Sequence, residues 1–435
     1  MIRIITLVMC FWVALMAPVA GQIKIEEVTS PGGIKAWLVS EPSIPFMAMS
    51  IGFRGGTSLD PQDRLGVTNL MTALLEEGTG DLDARGFKEA SEALAANFGF
   101  DAGRDSVRIS AQVLSENRED ALDLLRKAIQ EPAFNPAAIE RVRAQVLAGI
   151  EQDLQNPQAI AGRRLAELGY PDHPYGRPGD GTLETVAAIS KDDLVAAHRA
   201  ALSRDHLVVS VVGDITGSEL GPLLDQLLGG LPATGAALPQ DVDWSATGGT
   251  TVIDLPTPQS AAVWAQPGIA LDDPDFVAAY VLNHILGGGG FGSRLTEEVR
   301  EKRGLTYGVY SYMAFFTHSS YWAGGVASAN STIAQAIEVV QAEWARMAAE
   351  GVTEDELELA KKNLTGAYAL RFDGNAQIAR ILQSMQMDRF PIDYVNTRND
   401  RVNATTSEDI RRVAARLLDP GALRFVVVGQ PEGLE

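Results

Sequence analysis

Few residues in this chain are of a type and spacing that could do chemistry. The five histidines stand at His173, His198, His206, His284 and His318, and no two are three or four residues apart. A short helix holds zinc with two ligands one turn apart, so this set would need long-range convergence to build a metal site. Cys10 is the only cysteine, and it falls in an apolar N-terminal run. Once that run is removed, no thiol is left for catalysis, disulfides or metal ligation. No Gly-x-Ser-x-Gly occurs. The run from Gly287 to Gly290, followed by Phe291-Gly292, invites a phosphate-cradle reading. No Lys-Ser/Thr follows it and no strand precedes it, so the glycines are better read as a sharp turn between helices. Glu76 and Glu77 could serve as acid and base beside a metal, and are otherwise helix-end carboxylates. Arg300 and Tyr307 stand seven residues apart in VREKRGLTY. They supply a permanent cation and a directional phenolic donor. Spacing alone reads them as a surface arginine on a helix end and a tyrosine that opens a strand.

These residues depend on a scaffold of 435 residues, a length that suits two to four domains. Hydrophobic residues make up 46% and charged residues 21%, a balance that can fill sizeable cores. Acidic residues number 56 against 36 basic ones, a formal charge of −20. Such a surface repels phosphate and argues against nucleic-acid binding. It reads as a solvated acidic surface, with attraction of basic peptides as the sharper alternative. Residues 1–21 read as a secretory signal: Arg3, an apolar run over 4–17, and Ala20 or Gly21 as the cleavage point. The run is short for a membrane span, and an uncleaved anchor is the alternative. A signal on a chain without further cysteines suits a bacterial periplasm.

Residues 231–250, LPATGAALPQDVDWSATGGT, read as a linker between an N-terminal part, 22–230, and a C-terminal part, 251–435. Two flanking segments match without a gap: SKDDLVAAHRAALSRDHLVVSVVGDI and TTSEDIRRVAARLLDPGALRFVVVGQ. Leu194 and Ile410 each lie nineteen residues before a glycine, Gly213 and Gly429. In each copy an amphipathic helix leads into a β-branched run that ends in Val-Val-Gly. The match predicts two homologous halves. Strands are predicted at 34–39, 46–53, 104–114, 207–212, 251–255, 261–265 and 423–428. Helices are predicted over 66–75, 84–98, 119–130, 136–154, 276–286, 333–349 and 354–372. The elements do not alternate as strict βαβ units. The expected class is therefore α+β, with each half a largely antiparallel sheet covered by helices.

The stretch GFRGGTSLDPQDRLGVTNLMTALLEEGTG, Gly52 to Gly80, resembles the pitrilysin and insulinase-type zinc peptidases, including the mitochondrial processing peptidase. HPYGRP from His173, VVGD around Gly213 and FGSRLTEEVREKRGLTYGVYS from Phe291 share the resemblance, which covers the chain from about Ile23 onward. It implies a LuxS/processing-peptidase-like architecture. In active members the helix carries His-x-x-Glu-His, with two histidines holding zinc and the glutamate activating its water. A glutamate on a later helix is the third ligand. Here the first histidine position falls on Asn69, the glutamate on Thr72, the second histidine on Ala73 and the third ligand on Gly149. Alanine and glycine side chains carry no donor atom, and Asn and Thr are poor zinc ligands.

The resemblance gives Arg300 and Tyr307 a role: holding the substrate carbonyl and stabilising the oxyanion from the C-terminal half. It makes His173 a loop-ordering residue, while His284 reads as a packed histidine. It also implies a division of labour between chains. This chain is expected to be the non-catalytic subunit of a heterodimeric zinc peptidase, with the zinc on a homologous partner that carries His-x-x-Glu-His. A catalytically inert structural or peptide-binding scaffold of the same fold is the alternative. A self-sufficient hydrolase has no motif to support it.

Overall fold

The computed structural model of the chain describes residues 23–434; the predicted signal lies outside them. Among these residues no helix is long and apolar enough to cross a membrane.

Two sheets organise the fold. The first has six strands in the spatial order Glu26–Thr29, Lys35–Ser40, Leu207–Gly213, Phe46–Arg54, Ser106–Leu114 and Asn97–Ala102. The second has five, in the order Thr250–Asp254, Arg424–Gly429, Gln259–Pro267, Ser319–Ala329 and Val309–Phe316. In both sheets one neighbouring pair is parallel: Lys35–Ser40 with Leu207–Gly213, and Thr250–Asp254 with Arg424–Gly429. The remaining pairs are antiparallel. Without the first strand, the sheets share one order and one set of directions. The gapless sequence match is thus a structural repeat, and the class is α+β as expected.

Each half covers one face of its own sheet with helices. Val67–Ala73, Arg118–Gln130, Pro136–Asp153, Lys191–Ala201 and Gly217–Leu228 enclose the first core. Phe276–Asn283, Ile333–Glu350, Glu354–Ala369 and Ser407–Leu417 enclose the second. The opposite faces are covered by exchange. Helix Asn375–Met387, from the C-terminal half, packs on strands Phe46–Arg54 and Leu207–Gly213 of the first sheet. Its Ala379, Leu382 and Met385 meet Ala48 and Val212. Helix Pro157–Gly169, from the N-terminal half, packs on Gln259–Pro267 and Arg424–Gly429 of the second. Its Ala161 and Leu165 meet Val263, Val426 and Val428. An apolar sheet face must be buried by something, and here each half buries the other's.

The stretch between helix Gly217–Leu228 and strand Thr250–Asp254 contains no helix or strand. It is nonetheless held: the Val242 N–H donates to the His318 carbonyl oxygen at 2.8 Å, and the Gly248 N–H to that of Ala422 at 3.0 Å. Trp244 packs edge-on against Tyr170, 5.2 Å between ring centroids.

Three predicted helices need correction. The one expected over 84–98 ends at Ala93, and Asn97 and Phe98 open a strand. Ala95 takes a positive φ of 48°, which breaks the helix, and the Asn117 amide donates to the Leu94 carbonyl at the broken end. The one expected over 276–286 leaves α geometry after Asn283 and continues as a π-helical turn, His284–Gly288. The one expected over 354–372 stops at Ala369 and closes with a 3-10 turn.

Candidate functional site

Helix Val67–Ala73 carries three of the four lost positions. Leu70 and Met71 anchor it in the first core with no exposure. Asp60 caps its N-terminus: the Gly66 N–H donates to Oδ2 at 2.8 Å and the Thr68 N–H to Oδ1 at 3.2 Å. Burial pushes the Asp60 carboxyl up to about 6, even though these donors favour its charged form. Asn69 and Ala73 lie one turn apart on the same face and are both half-buried. Thr72 is 1% exposed, and its Oγ1 has no hydrogen-bond partner. Gly149 lies on Pro136–Asp153, a helix in contact with Val67–Ala73. It is exposed, and a Cβ built there would meet nothing within 4 Å.

The two helices that the resemblance expects to carry zinc ligands therefore stand side by side, without such ligands on them. The only side-chain donors at the four positions are one amide and one hydroxyl, and zinc does not fit them. Among the described residues no group of three or more His, Cys, Asp or Glu is placed to hold a metal ion. Glu77, next to this helix, is committed to an ion pair with Arg141, and Glu76 is exposed.

The histidines are mostly occupied in local structure. His173 accepts from the Tyr175 N–H at Nδ1, 3.2 Å, and places Nε2 3.0 Å from the Gln240 carbonyl oxygen, which orders its loop. His198 Nε2 lies 2.6 Å from the Ile129 carbonyl oxygen. His318 Nδ1 meets Asp241 at 2.9 Å. His206 is buried, and His284 is half-buried, with its pKa lowered by burial and by Arg398.

The second candidate pair is built differently. Arg300 lies in a π-helical turn, Thr296–Glu301. Glu298, 7% exposed, draws the neighbouring cations to itself: Lys302 at 2.8 Å and Arg303 at 2.7 Å. Arg300 is left with Glu301, Nε to Oε1 at 3.4 Å, and its guanidinium carbon lies 4.7 Å from the Phe291 ring centroid. Tyr307 is pinned from both sides. The Thr306 hydroxyl donates to the Ala327 carbonyl at 2.6 Å, and the Gly308 N–H donates to the Thr306 hydroxyl at 3.0 Å. Leu305 and Val309 are buried in the second core. Held in this way, the Tyr307 side chain is 90% exposed. Arg300 and Tyr307 make no hydrogen bond to each other or to the N-terminal positions among the described residues. Tyr307 is exposed, and Arg300 is half-buried with its side chain 32% exposed. Phe291 had no sequence signal beyond being an aromatic residue inside a glycine run.

A separate cavity of about 980 Å³ lies between the exchanged helix end at Met387–Pro391 and the hairpin Phe315–Ser320. None of Asn69, Thr72, Ala73, Gly149, Arg300 and Tyr307 lines it.

The chain is similar to known proteins over most of its length. Residues 35–182 match the family model described as insulinase (peptidase family M16), and residues 188–364 match the peptidase M16 inactive domain. The crystal structure of a peptidase M16 inactive domain from Pseudomonas fluorescens superposes with a TM-score of 0.88 at 31% identity, covering 94% of this chain and 99% of that one. This chain belongs to the peptidase M16 family. Among M16 relatives, a non-peptidase homolog, YmxG, of Helicobacter pylori is 28% identical over 85% of this chain and 84% of its own length. A protein named an uncharacterized zinc protease in Streptomyces coelicolor is 25% identical over 91% of this chain and 87% of its own. A protease structure from Helicobacter pylori shares the fold, with a TM-score of 0.84 at 17% identity and coverage of 94% and 100%. The four positions without metal ligands lie within residues 35–182, and the similarity over most of the chain to a non-peptidase homolog and to a structure described as an M16 inactive domain agrees with them: this is a non-catalytic M16-like protein.

Proposed function

We propose that this M16 chain is the non-catalytic subunit of a heterodimeric zinc peptidase that cleaves peptides in the bacterial periplasm. The observation that carries this reading is an asymmetry. The positions expected to hold the metal carry Asn69, Thr72, Ala73 and Gly149, while Tyr307 is exposed on a tightly held backbone and Arg300 keeps its terminal nitrogens free of hydrogen bonds among the described residues. A homologous partner with His-x-x-Glu-His would supply the metal and the activated water. At the site shared by the two subunits, Arg300 and Tyr307 would donate to the substrate carbonyl as it becomes an oxyanion.

In this reading an extended peptide adds to a sheet edge. Asn97–Ala102 and Val309–Phe316 are equivalent edge strands of the two sheets. The second edge begins two residues after Tyr307. The periplasmic assignment rests on the signal-like residues 1–21 and the lack of cysteines after Cys10.

Co-purification tests the proposal. The chain should pair with a zinc-bearing M16 relative from the same organism, and peptidase activity should need both and be lost with a chelator. A stable monomer that neither binds such a relative nor raises its activity would exclude the proposal. The second reading, an inert peptide-binding or structural scaffold, is favoured by the similarity to a non-peptidase homolog. It predicts that complex formation survives while Arg300→Ala changes nothing.

A further inference from the structure

Phe291 sits at the tip of a short 3-10 turn, Gly290–Gly292. Its ring is 78% exposed and joins neither a core cluster nor an aromatic pair among the described residues. Exposure alone is ordinary for a single apolar side chain. What sets Phe291 apart is its cation–π contact with the Arg300 guanidinium, 4.7 Å from the ring centroid. The turn is also tied to the segment that carries Arg300. Ser293, 1% exposed, donates its N–H to the Gly290 carbonyl at 3.1 Å and its hydroxyl to the same oxygen at 2.9 Å. The Glu297 N–H, in the arginine's own turn, donates to the Ser293 carbonyl at 3.0 Å. Ring and guanidinium are thus joined through a buried serine, with few bonds between them to loosen.

A half-buried arginine whose terminal nitrogens are unbonded keeps several rotatable bonds and samples many positions. Arg300 has one ion-pair contact, through Nε, and no hydrogen bond on its terminal nitrogens among the described residues. Stacking on a π face restrains the plane of a guanidinium while leaving the N–H groups at its rim free to donate. We infer that Phe291 is a positioning residue for Arg300: its ring holds the guanidinium plane, so the free N–H groups meet the peptide carbonyl without first being ordered. The inference rests on the subunit reading above, since it assigns Arg300 a carbonyl to meet.

The test uses the complex of this chain with its zinc-bearing subunit and a fluorogenic peptide. A cation–π contact at an exposed site corresponds to about a two- to five-fold effect. Loss of a transition-state donor corresponds to roughly a hundred-fold effect or more. Phe291→Leu should lower kcat about two- to five-fold with KM unchanged. Phe291→Tyr should restore it. In an Arg300→Ala background, Phe291→Leu should have no further effect. A drop that persists in that background, or that appears only in KM, would mean the ring touches the peptide directly and would overturn the inference. Unchanged turnover in Phe291→Leu with low turnover in Arg300→Ala would remove the positioning role alone. Unchanged turnover in Arg300→Ala would remove the subunit reading itself. The isolated, 15N-labelled chain gives a second readout. The Arg300 Nε–H signal should move in Phe291→Leu and return in Phe291→Tyr; a signal that stays in place overturns the contact.

Discussion

Gly213 and Gly429 occupy the same place in the two sheets. Each ends the strand after Val-Val with a positive φ, 138° and 148°. A Cβ at either would sit 2.8 Å from the Cα of the residue it faces, Met47 in one sheet and Ser260 in the other. The repeat therefore extends to the backbone conformation, and only glycine satisfies it at both ends.

Alanine at either glycine should destabilise the chain. The backbone conformation alone costs on the order of 1–3 kcal/mol, and the close approach adds to it. Gly213→Ala should cost more than Gly429→Ala. Its Cβ would also meet the Phe46 carbonyl oxygen, a backbone atom, whereas at Gly429 the extra neighbour is the Ser260 hydroxyl, which can rotate away. Urea midpoints of the two variants check the order.

Helix Val67–Ala73 and its neighbour Pro136–Asp153 should accept a metal once donors are restored. Asn69→His, Ala73→His and Gly149→Glu place ligands at half-buried or open positions. Zinc at a hundred times its dissociation constant should stabilise the triple variant by about 2.7 kcal/mol and leave the natural chain unmoved. Thermal melts with and without zinc decide this. A response equal in both chains would place zinc elsewhere.

In the complex with a zinc-bearing subunit, Arg300→Ala and Tyr307→Phe should each lower turnover, by roughly a hundred-fold if each donates to the oxyanion. Neither should split the complex or unfold the chain, because Tyr307 is 90% exposed and Arg300 anchors no core. Gel filtration beside steady-state kinetics separates loss of catalysis from loss of assembly.

Glu356 and Asp60 should pull stability in opposite directions on acidification. Burial alone would raise the Glu356 carboxyl, but two bonds from Arg294, at 2.6 and 2.8 Å, and the Thr353 cap bring it down to about 2. Its folded pKa lies below the unfolded value of 4.5, so its contribution is present above that value and is lost as pH falls toward 2. Asp60 is raised from 3.8 to about 6, so its contribution is present below 3.8 and fades as pH rises through 6. Glu356→Gln should flatten the acid limb of the urea midpoint between pH 2 and 4.5, and Asp60→Asn the limb between 3.8 and 6. Identical profiles for variant and natural chain would contradict the pairing.

Cutting the chain within 231–240 should leave neither piece well folded by itself. Each sheet would lose the helix that covers its second face, Asn375–Met387 or Pro157–Gly169. The two pieces, produced together, should associate and recover the native far-UV and tryptophan signals. Leu382→Ala, at a fully buried position on the exchanged helix, should cost about 2–5 kcal/mol and weaken that association.

The sequence by itself determined what depends on local pattern and residue chemistry. The β-branched runs ending in Val-Val-Gly marked equivalent strands, and at the four expected ligand positions Ala73 and Gly149 offer no donor atom in any fold while Asn69 and Thr72 offer only poor zinc ligands. Helix lengths were legible to within a turn except where a long-range demand intervened. At Asn97 and Phe98 the helical pattern runs on, but pairing with Ser106–Leu114 draws them into the sheet, and hydrogen bonds across the sheet carry no helical period. Only the tertiary structure decided the rest. The exchange of Pro157–Gly169 and Asn375–Met387 was hidden twice over: neither helix is among the predicted ones, and an apolar helix face states that it needs a partner and not which one. The exposure of Tyr307, and the ring of Phe291 beside the Arg300 guanidinium, follow from packing around Glu298, Ser293 and Thr306. Those contacts depend on where folded segments meet in space, which residue type and spacing leave open.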